Sequence, residues 1–184
     1  KSQLRFYMYQ FLDMWTDTYA VIGSRTVGNE MVRLRIASAS DTAVRSDDVD
    51  FLIQSPTPTT WIIGRTYTNG KTDLLDAHQH QDGVIIKYDY PDKVQSNNQE
   101  ITFSANIPPV EQATKLSGSE FFELASRLIS QQGVHLTDGS LSFRLRSLGF
   151  NVGEIFMYEN QTADVKAAID QAPKRAALAI TSVS

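Results

Sequence analysis

Two arginines are the residues in this sequence whose setting most favours binding chemistry. Arg25 and Arg65 each lie one or two positions after a glycine, within an apolar stretch that should bury much of the side-chain stem. A buried guanidinium needs a carboxylate or several carbonyl oxygens, because an unpaired charge there is costly. One interpretation is structural, with each arginine held by Asp13, Asp17 or Asp76. The other is an anion clamp, in which the planar fork binds two oxygens of a carboxylated or sulfated ligand.

Aromatic side chains offer a second kind of binding chemistry. Trp15, Tyr19, Trp61 and Tyr67 could line a cleft for a sugar or another ring, since such sites stack their ligands on aromatic faces. Aromatics at strand spacing are more often part of a core. Trp15 is the clearest exception, because residues 16–18 beside it are typical of a loop.

The sequence His78-Gln79-His80 is the first place to look for a metal. Residues 73–77 favour a helix, on which positions i and i+2 point about 200° apart and cannot share an ion. The pattern also lacks a histidine at i+4 and a third ligand. We therefore expect no metal site and no cofactor. His78 stays in the set of candidate ligand-binding residues, which is Arg25, Arg65, Trp15, Tyr67 and His78.

Motifs of nucleophilic and metal-assisted catalysis are missing from the sequence. It has no Gly-x-Ser-x-Gly elbow, no His-Glu-x-x-His and no glycine-rich phosphate loop. It also has no cysteine, which excludes thiol catalysis, disulfides and iron–sulfur clusters. No catalytic residue is assigned, and whether the chain is an enzyme stays open at this point.

Composition places the 184 residues among globular domains. Hydrophobic residues make up 41% and charged residues 21%, which excludes a disordered tail or a coiled coil. The net charge of −4 argues against nucleic acid as a partner. No apolar run approaches the roughly 20 residues that cross a bilayer, so no membrane span is expected.

Period-two patterns in the first part of the chain predict strands. Alternation around residues 4–12 makes a strand apolar on both faces, which is normally central in its sheet and covered on both sides. A helix of about two turns is predicted near residues 72–81, with Thr72 or Asp73 as its cap. Short strands separated by turns favour a β-sandwich over a parallel α/β sheet. The further predicted strands are residues 32–36, 50–54, 60–67, 84–90 and 101–107.

Pro108-Pro109 marks the predicted boundary between two parts of the chain. Before it the hydrophobic period is two, and after it the period is 3.6, which is typical of helices. The sequence therefore predicts an α+β protein with a β-sandwich domain over residues 1–108 and a helical subdomain over residues 109–184.

Three helices are predicted in the second part. Ser117 and Glu120 form a capping box at the start of the first helix. A shorter helix is predicted near residues 141–148 and a third near 165–172, where Pro173 is expected to kink or end it.

Both ends of the chain lie in or near apolar runs, which start by Leu4 and continue through residues 177–180. A central strand rarely begins within four residues of an N-terminus. We therefore expect this chain to be a piece of a longer protein.

Several segments, in order, resemble the DUF1254 family of proteins of unassigned function. No single segment is specific, but the ordered set spans most of the chain. The segments are residues 5–13 (RFYMYQFLD), 22–28 (IGSRTVG), 54–57 (QSPT), 61–66 (WIIGRT), the stretch from Pro108-Pro109-Val110 to Phe121-Phe122, and 144–149 (RLRSLG).

What the resemblance implies is mostly architectural. It implies an immunoglobulin-like antiparallel β-sandwich, a small helical subdomain, and a following jelly-roll domain called DUF1214 that this chain lacks. It also implies a secreted or periplasmic protein. The expected partners are the missing jelly-roll part and a second copy of the chain. The family supplies no agreed reaction and no catalytic residues.

Two hypotheses about function follow. The preferred one is a non-catalytic binding or assembly module of a longer protein. The alternative is a hydrolase-type enzyme whose site is shared with the missing domain, with Arg25, Arg65, Trp15 and His78 as contributors. A perturbed ionisable pair in a concave pocket would favour the enzyme, whereas a flat apolar face would favour the module.

Overall fold

The computed structural model describes residues 5–38, 41, 48–87 and 104–181, with side chains up to residue 179. Contacts divide the chain into two compact units, Lys1–Gln95 and Ser96–Ser184. Strands occupy the described part of the first unit and helices dominate the second, so the predicted α+β class is confirmed. The domain boundary after residue 108 stays a prediction.

A three-stranded antiparallel sheet forms the centre of the first unit. Its strands are β1 (Tyr7–Leu12), β2 (Thr18–Gly23) and β5 (Trp61–Thr66), in the order β2-β1-β5. The prediction that β1 is a central strand is therefore confirmed. Met8 pairs with Gly23 on one side and with Arg65 on the other, so these three positions form one row across the sheet.

Two further strands, β3 (Leu34–Ser38) and β4 (Phe51–Ser55), pair with each other in parallel. A purely antiparallel arrangement is therefore wrong for the described strands, and the described residues do not confirm an immunoglobulin-like sandwich. Parallel neighbours need a crossover of a dozen or so residues, and the segment between β3 and β4 is long enough to make one.

Two predicted strands are absent from the positions that the structure describes. Residues 84–87 are irregular and leave a helix, with the Val84 amide donating to the Gln81 carbonyl. Residues 104–107 form a turn, because the Gln112 amide group bonds both the N–H and the C=O of Ser104. The remainder of both predicted strands lies outside the described residues.

The predicted helix in the first unit is α1 (Leu74–Asp82), preceded by a short 3-10 turn over Lys71–Asp73. Asp73 occupies the N-cap position, but its side chain makes no capping hydrogen bond. Its carboxylate instead accepts two 2.7 Å hydrogen bonds from the Arg5 guanidinium and one from the Asn69 amide. The Arg5–Asp73 ion pair therefore connects the segment that precedes β1 to the start of α1.

This ion pair predicts a specific dependence of stability on pH. The hydrogen bonds from Arg5 and Asn69 hold the pKa of Asp73 well below its usual range. The stabilisation is then complete above the ordinary aspartate pKa of about 3.9 and is lost as the pH falls towards the lower folded value. Urea unfolding of the wild type and Asp73→Asn should differ most near neutral pH and converge in strong acid.

A double-variant cycle isolates the pair in the same measurement. In an Arg5→Gln background, Asp73→Asn should change the urea midpoint much less, because the partner is already gone. A wild-type advantage over Asp73→Asn that stays constant from about pH 6 to about pH 2 would contradict the assignment.

The second unit holds four helices in its described part: α2 (Pro109–Ala113), α3 (Gly118–Gln132), α4 (Gly139–Arg146) and α5 (Ala163–Thr181). Its core is a cluster of Phe150, Phe156 and Ile169, against which α3 and α5 pack partly buried apolar side chains. The predicted capping box is confirmed: the Ser117 hydroxyl accepts from the Glu120 amide, and the Glu120 carboxylate accepts from the Ser117 amide.

Of the two effects predicted for Pro173, a kink or the end of the third helix, the second is wrong and the first stays a prediction. α5 continues through Pro173 to Thr181. Proline leaves the carbonyl of Ile169 without its helical donor. That carbonyl lies against Gly118, the first residue of α3, where a Cβ atom would fall 2.6 Å from the carbonyl carbon. The Ile169 carbonyl, which has lost its donor in α5, therefore lies against the backbone of Gly118 at the N-terminus of α3.

Candidate functional site

One face of the β2-β1-β5 sheet, which we call the open face, carries most of the exposed aromatic and apolar residues of the sheet. Side chains alternate along a strand, so positions that pair across the sheet share a face. Two of the five candidate ligand-binding residues, Arg65 and Tyr67, lie on this face according to the strand pairing. Its members are Phe6, Met8, Gln10, Leu12, Val21, Gly23, Trp61, Ile63, Arg65 and Tyr67, of which Leu12 and Gly23 are buried.

The two faces of the sheet differ sharply in burial. On the opposite face Tyr7 and Phe11 are buried, and α1 covers Tyr7 with the His80 ring at 5.2 Å. On the open face Trp61 is 55% exposed and Tyr67 is 59% exposed. The expectation that β1 is covered on both sides is met at its last residue, Leu12, which is 6% exposed, but not at the other end, where Phe6 and Tyr67 are exposed among the described residues.

Arg25 and Arg65 approach the open face from its two edges. Arg25 lies in the turn after β2, and its guanidinium sits over the Phe6 ring at 5.3 Å from the ring centroid. Arg65 is exposed on β5 and donates from Nη1 to Oε1 of Gln10 at 3.0 Å. Gln10 in turn donates to the Thr18 hydroxyl, so polar contacts cross all three strands.

The structural interpretation of these arginines is wrong within the described residues. The sequence suggested Asp13, Asp17 or Asp76 as their partners, but neither guanidinium contacts a carboxylate among the residues that the structure describes. Asp13 is buried and accepts from the Trp15 and Asp17 amides at 2.9 Å each, which shapes the β1–β2 turn.

A small hollow lies on the open face between Arg25 and β1. Its volume is about 100 Å³, and its walls are almost entirely apolar. Pockets that enclose a small organic ligand usually measure about 300–1,000 Å³. The hollow therefore has room for one protruding side chain rather than for a buried ligand. It is lined by Phe6, Tyr7, Met8, Val21, Gly23, Arg25 and Thr26.

Gly23, which lines this hollow, lets β2 approach β1 closely. A Cβ atom at this position would fall 2.9 Å from the Cα of Met8 and closer still to the Tyr7 carbonyl oxygen. Only glycine allows β2 to approach β1 this closely before the chain turns towards Arg25.

The structure gathers three of the five predicted site residues and leaves two apart. Arg25, Arg65 and Tyr67 lie at the end of the sheet where β1 begins. Trp15 is half-buried in the turn at the other end of β1. His78 is exposed on α1, the helix that contacts the opposite face.

Sequence reasoning missed several residues that shape the site. Val21 was missed because no strand was predicted over residues 18–23. Gln10 was not considered as a partner for Arg65. An arginine–carboxylate ion pair of the kind that the sequence suggested does exist, but it is partly buried and is made by Arg5 with Asp73, which are 68 positions apart.

The ionisable groups with displaced pKa values lie away from the open face. Burial raises the pKa of Tyr7 and of Tyr9 on the opposite face. The pKa of Asp73 is lowered by Arg5 and Asn69 at the start of α1. Among the described residues no group of three metal-ligating side chains comes together. Within the ranges that the structure describes, the hollow is lined by no aspartate, glutamate or histidine.

No helix within the described ranges has both the length and the apolarity to cross a membrane.

Comparison with known proteins adds a family and a fold. The DUF1254 family, described as proteins of unknown function, matches residues 1–88. No curated protein matches the chain. The chain is similar to the crystal structure of the VPA0106 protein from Vibrio parahaemolyticus, with 14% identity and a TM-score of 0.64. The match covers 99% of this chain and 44% of that one, so this chain spans less than half of its neighbour's length.

At 14% identity the structural similarity shows the fold alone, whereas the family match rests on the sequence itself. The resemblance predicted from the ordered segments is thus confirmed over residues 1–88, which match the model of the DUF1254 family of proteins of unknown function.

Proposed function

We propose that this chain is a non-catalytic binding module that docks a polypeptide partner on the open face. The observation that carries the proposal is the exposure of Trp61 and Tyr67 on the same face as two arginines that have no carboxylate partner among the described residues. Aromatic residues and arginine are the types that protein interfaces enrich and that most often dominate their binding energy.

The shape of the open face supports a polypeptide rather than a small ligand. A sheet face is broad, and its hollow of about 100 Å³ is too small to bury most of a drug-sized molecule. A partner that covers the face would bury Phe6, Val21, Trp61 and Tyr67 together, as the core of a protein interface does.

The alternative of a hydrolase-type enzyme receives less support. Its proposed contributors were Arg25, Arg65, Trp15 and His78, of which only the two arginines lie on one surface. No described carboxylate or histidine lies on the open face to serve as a general base. We therefore retain the binding module as the function that the geometry favours.

We further propose that the partner belongs to a longer protein of which this chain is one part. The support is that VPA0106, which has the same fold, extends well beyond the matched region. A jelly-roll domain of the DUF1214 type, in a secreted or periplasmic protein, is the partner that the family resemblance suggests. A partner sheet on the open face would also produce the two-layer sandwich predicted from the sequence.

A second copy of the chain is a less suitable occupant of the same face. Two open faces stacked on each other would bring the arginines of both copies together, and like charges at an interface are costly. Any homo-oligomer is therefore proposed to use another surface.

Selection from a random displayed-peptide library tests the proposal. The wild type serves as bait, and enriched peptides are then measured against Trp61→Ser/Tyr67→Ser. Leu75→Ser/Phe143→Ser is the matched control, because these two side chains are also exposed but lie on α1 and α4. Circular dichroism confirms that both double variants are folded.

The proposal predicts that peptides enriched on the wild type lose at least about tenfold in affinity on the Trp61/Tyr67 variant. Binding to the Leu75/Phe143 variant should be unchanged. Enrichment of peptides that bind both variants equally, or no enrichment at all, would overturn the open face as a docking surface.

A further inference from the structure

We propose that the partner on the open face presents carboxylates to Arg25 and Arg65 and an apolar side chain to the hollow beside Arg25. The occupant is thus an acidic polypeptide segment in which apolar and acidic side chains are neighbours. This inference rests on the proposed function and specifies the chemistry of its partner.

The two guanidiniums flank the same short stretch of β1. Gly23, Met8 and Arg65 form one row across the sheet, and neighbouring strands are about 4.8 Å apart, so the outer positions of the row are separated by about 10 Å. Arg25 follows Gly23 by two residues and turns back over the Phe6 ring. The Arg65 guanidinium reaches Gln10, so along β1 the two guanidiniums lie on either side of Met8.

Both guanidiniums retain donors that can reach a ligand. An arginine has five N–H donors in a planar fork that matches a carboxylate. Among the described residues Arg65 donates one hydrogen bond, to the neutral Gln10 side chain. Within the described part of the chain the contact of Arg25 is with the Phe6 ring, which leaves its N–H groups available at the edge of the guanidinium plane.

The charge pattern of the chain makes the open face selective for an acidic partner. The whole sequence carries a net charge of −4, yet no aspartate or glutamate occupies a register position of the open face. The face is therefore a positively charged, apolar surface on an acidic protein. It should attract acidic segments and repel basic ones, which is how complementary charge gives specificity.

The hollow sets the second requirement on the partner. It is lined by Phe6, Met8 and Val21 and is bounded by Arg25. The hollow accepts about one side chain. An apolar residue next to the partner's carboxylate would fill it while the carboxylate binds the Arg25 guanidinium. Arg25 would then contact both groups through its stem and its head.

Defined synthetic peptides test this chemistry with the wild-type chain. The first probe is an acetylated, amidated eight-residue peptide of alternating Asp and Leu. Its controls replace every Asp by Asn, every Asp by Lys, or every Leu by Ser. Fluorescence anisotropy of labelled peptides gives the affinities, and each titration is repeated at about 50 mM and 500 mM salt because such screening weakens exposed charge pairs.

We expect the Asp–Leu peptide to bind at least about tenfold more tightly than the Asn–Leu peptide, with the difference shrinking at high salt. Arg25→Gln/Arg65→Gln should abolish that preference. The matched control Arg144→Gln/Arg146→Gln, which changes the net charge equally on α4, should keep it. Equal binding of the Asp–Leu and Asn–Leu peptides would overturn the inference.

The outcomes separate this inference from the proposed function. If the library peptides depend on Trp61 and Tyr67 but are not acidic, and the arginine variant binds them normally, the face is a docking surface and the carboxylate assignment is wrong. If the Asp–Leu peptide binds the arginine control and the arginine variant equally, the acidic peptide is bound elsewhere and the assignment is also wrong. If neither kind of peptide binds the open face, both proposals fail.

Discussion

Phe156→Ala is expected to destabilise the second unit by about 3–5 kcal/mol, the usual range for removing a buried aromatic side chain. Phe156 is 2% exposed, and its ring stacks on Phe150 at 6.1 Å and meets Phe122 at 6.0 Å. Its amide also donates to the buried hydroxyl of Ser126, which fixes the segment against α3. Truncation would open a cavity that these neighbours can fill only in part.

The matched control is Phe143→Ala on α4, because Phe143 is the same residue type but is 73% exposed. Its loss should change the free energy of unfolding by no more than about 0.5 kcal/mol. Urea unfolding followed by circular dichroism measures both. A Phe156→Ala variant within 1 kcal/mol of the wild type would mean that the three-residue core is not the main support of this unit.

Gly118→Ala is expected to have the second large effect, a destabilisation of about 1–3 kcal/mol or more. A Cβ atom there would fall 2.6 Å from the carbonyl carbon of Ile169 and 2.9 Å from the Cα of Asp170. These are backbone atoms of α5 and cannot rotate away as the end of a side chain can. α3 and α5 would have to separate, at a cost to the core between them.

Gly139→Ala provides an unusually close control. Gly139 is also the first residue of its helix, α4, but a Cβ atom at that position would meet nothing within 4 Å. Alanine there should stabilise the protein by about 0.4–1 kcal/mol, because it restricts the unfolded chain without a clash. If the two substitutions have the same effect on the urea midpoint, the close approach of α3 and α5 at Gly118 is wrong.

Local patterns were sufficient to predict most single elements. Alternating apolar residues predicted β1 and its two faces, and the Ser117–Glu120 spacing predicted the start of α3. These features depend on neighbours in the sequence, so the sequence contains the necessary information. The same is true of α1, whose position was predicted although the role of Asp73 was not.

Pairing and burial depend on distant parts of the chain and were harder to predict. An alternating pattern does not specify strand direction, so the parallel pairing of β3 with β4 was missed. Pro173 was expected to kink or end a helix because its effect on the backbone is local, yet α5 continues through it to Thr181.

The candidate site shows the same division between local and distant information. Sequence reasoning selected Arg25, Arg65 and Tyr67, which do share an end of one face. It could not show that this face is open, because exposure depends on what the rest of the chain covers. It also could not separate Trp15 from the others, since a position in a loop does not specify which end of the sheet the loop occupies.

The two tryptophans allow the most direct test of the proposed docking surface. Trp61 is 55% exposed on the open face, opposite Leu12 at the end of β1, whereas Trp15 is half-buried in the turn that follows the same end. Each contributes one indole N–H resonance to a proton–nitrogen spectrum of the labelled wild-type chain. Titration with the strongest library peptide should shift or broaden the Trp61 resonance more than that of Trp15, because only Trp61 is a member of the open face. A peptide that binds the chain while the Trp61 resonance stays unchanged would contradict the assignment of the open face as the binding surface.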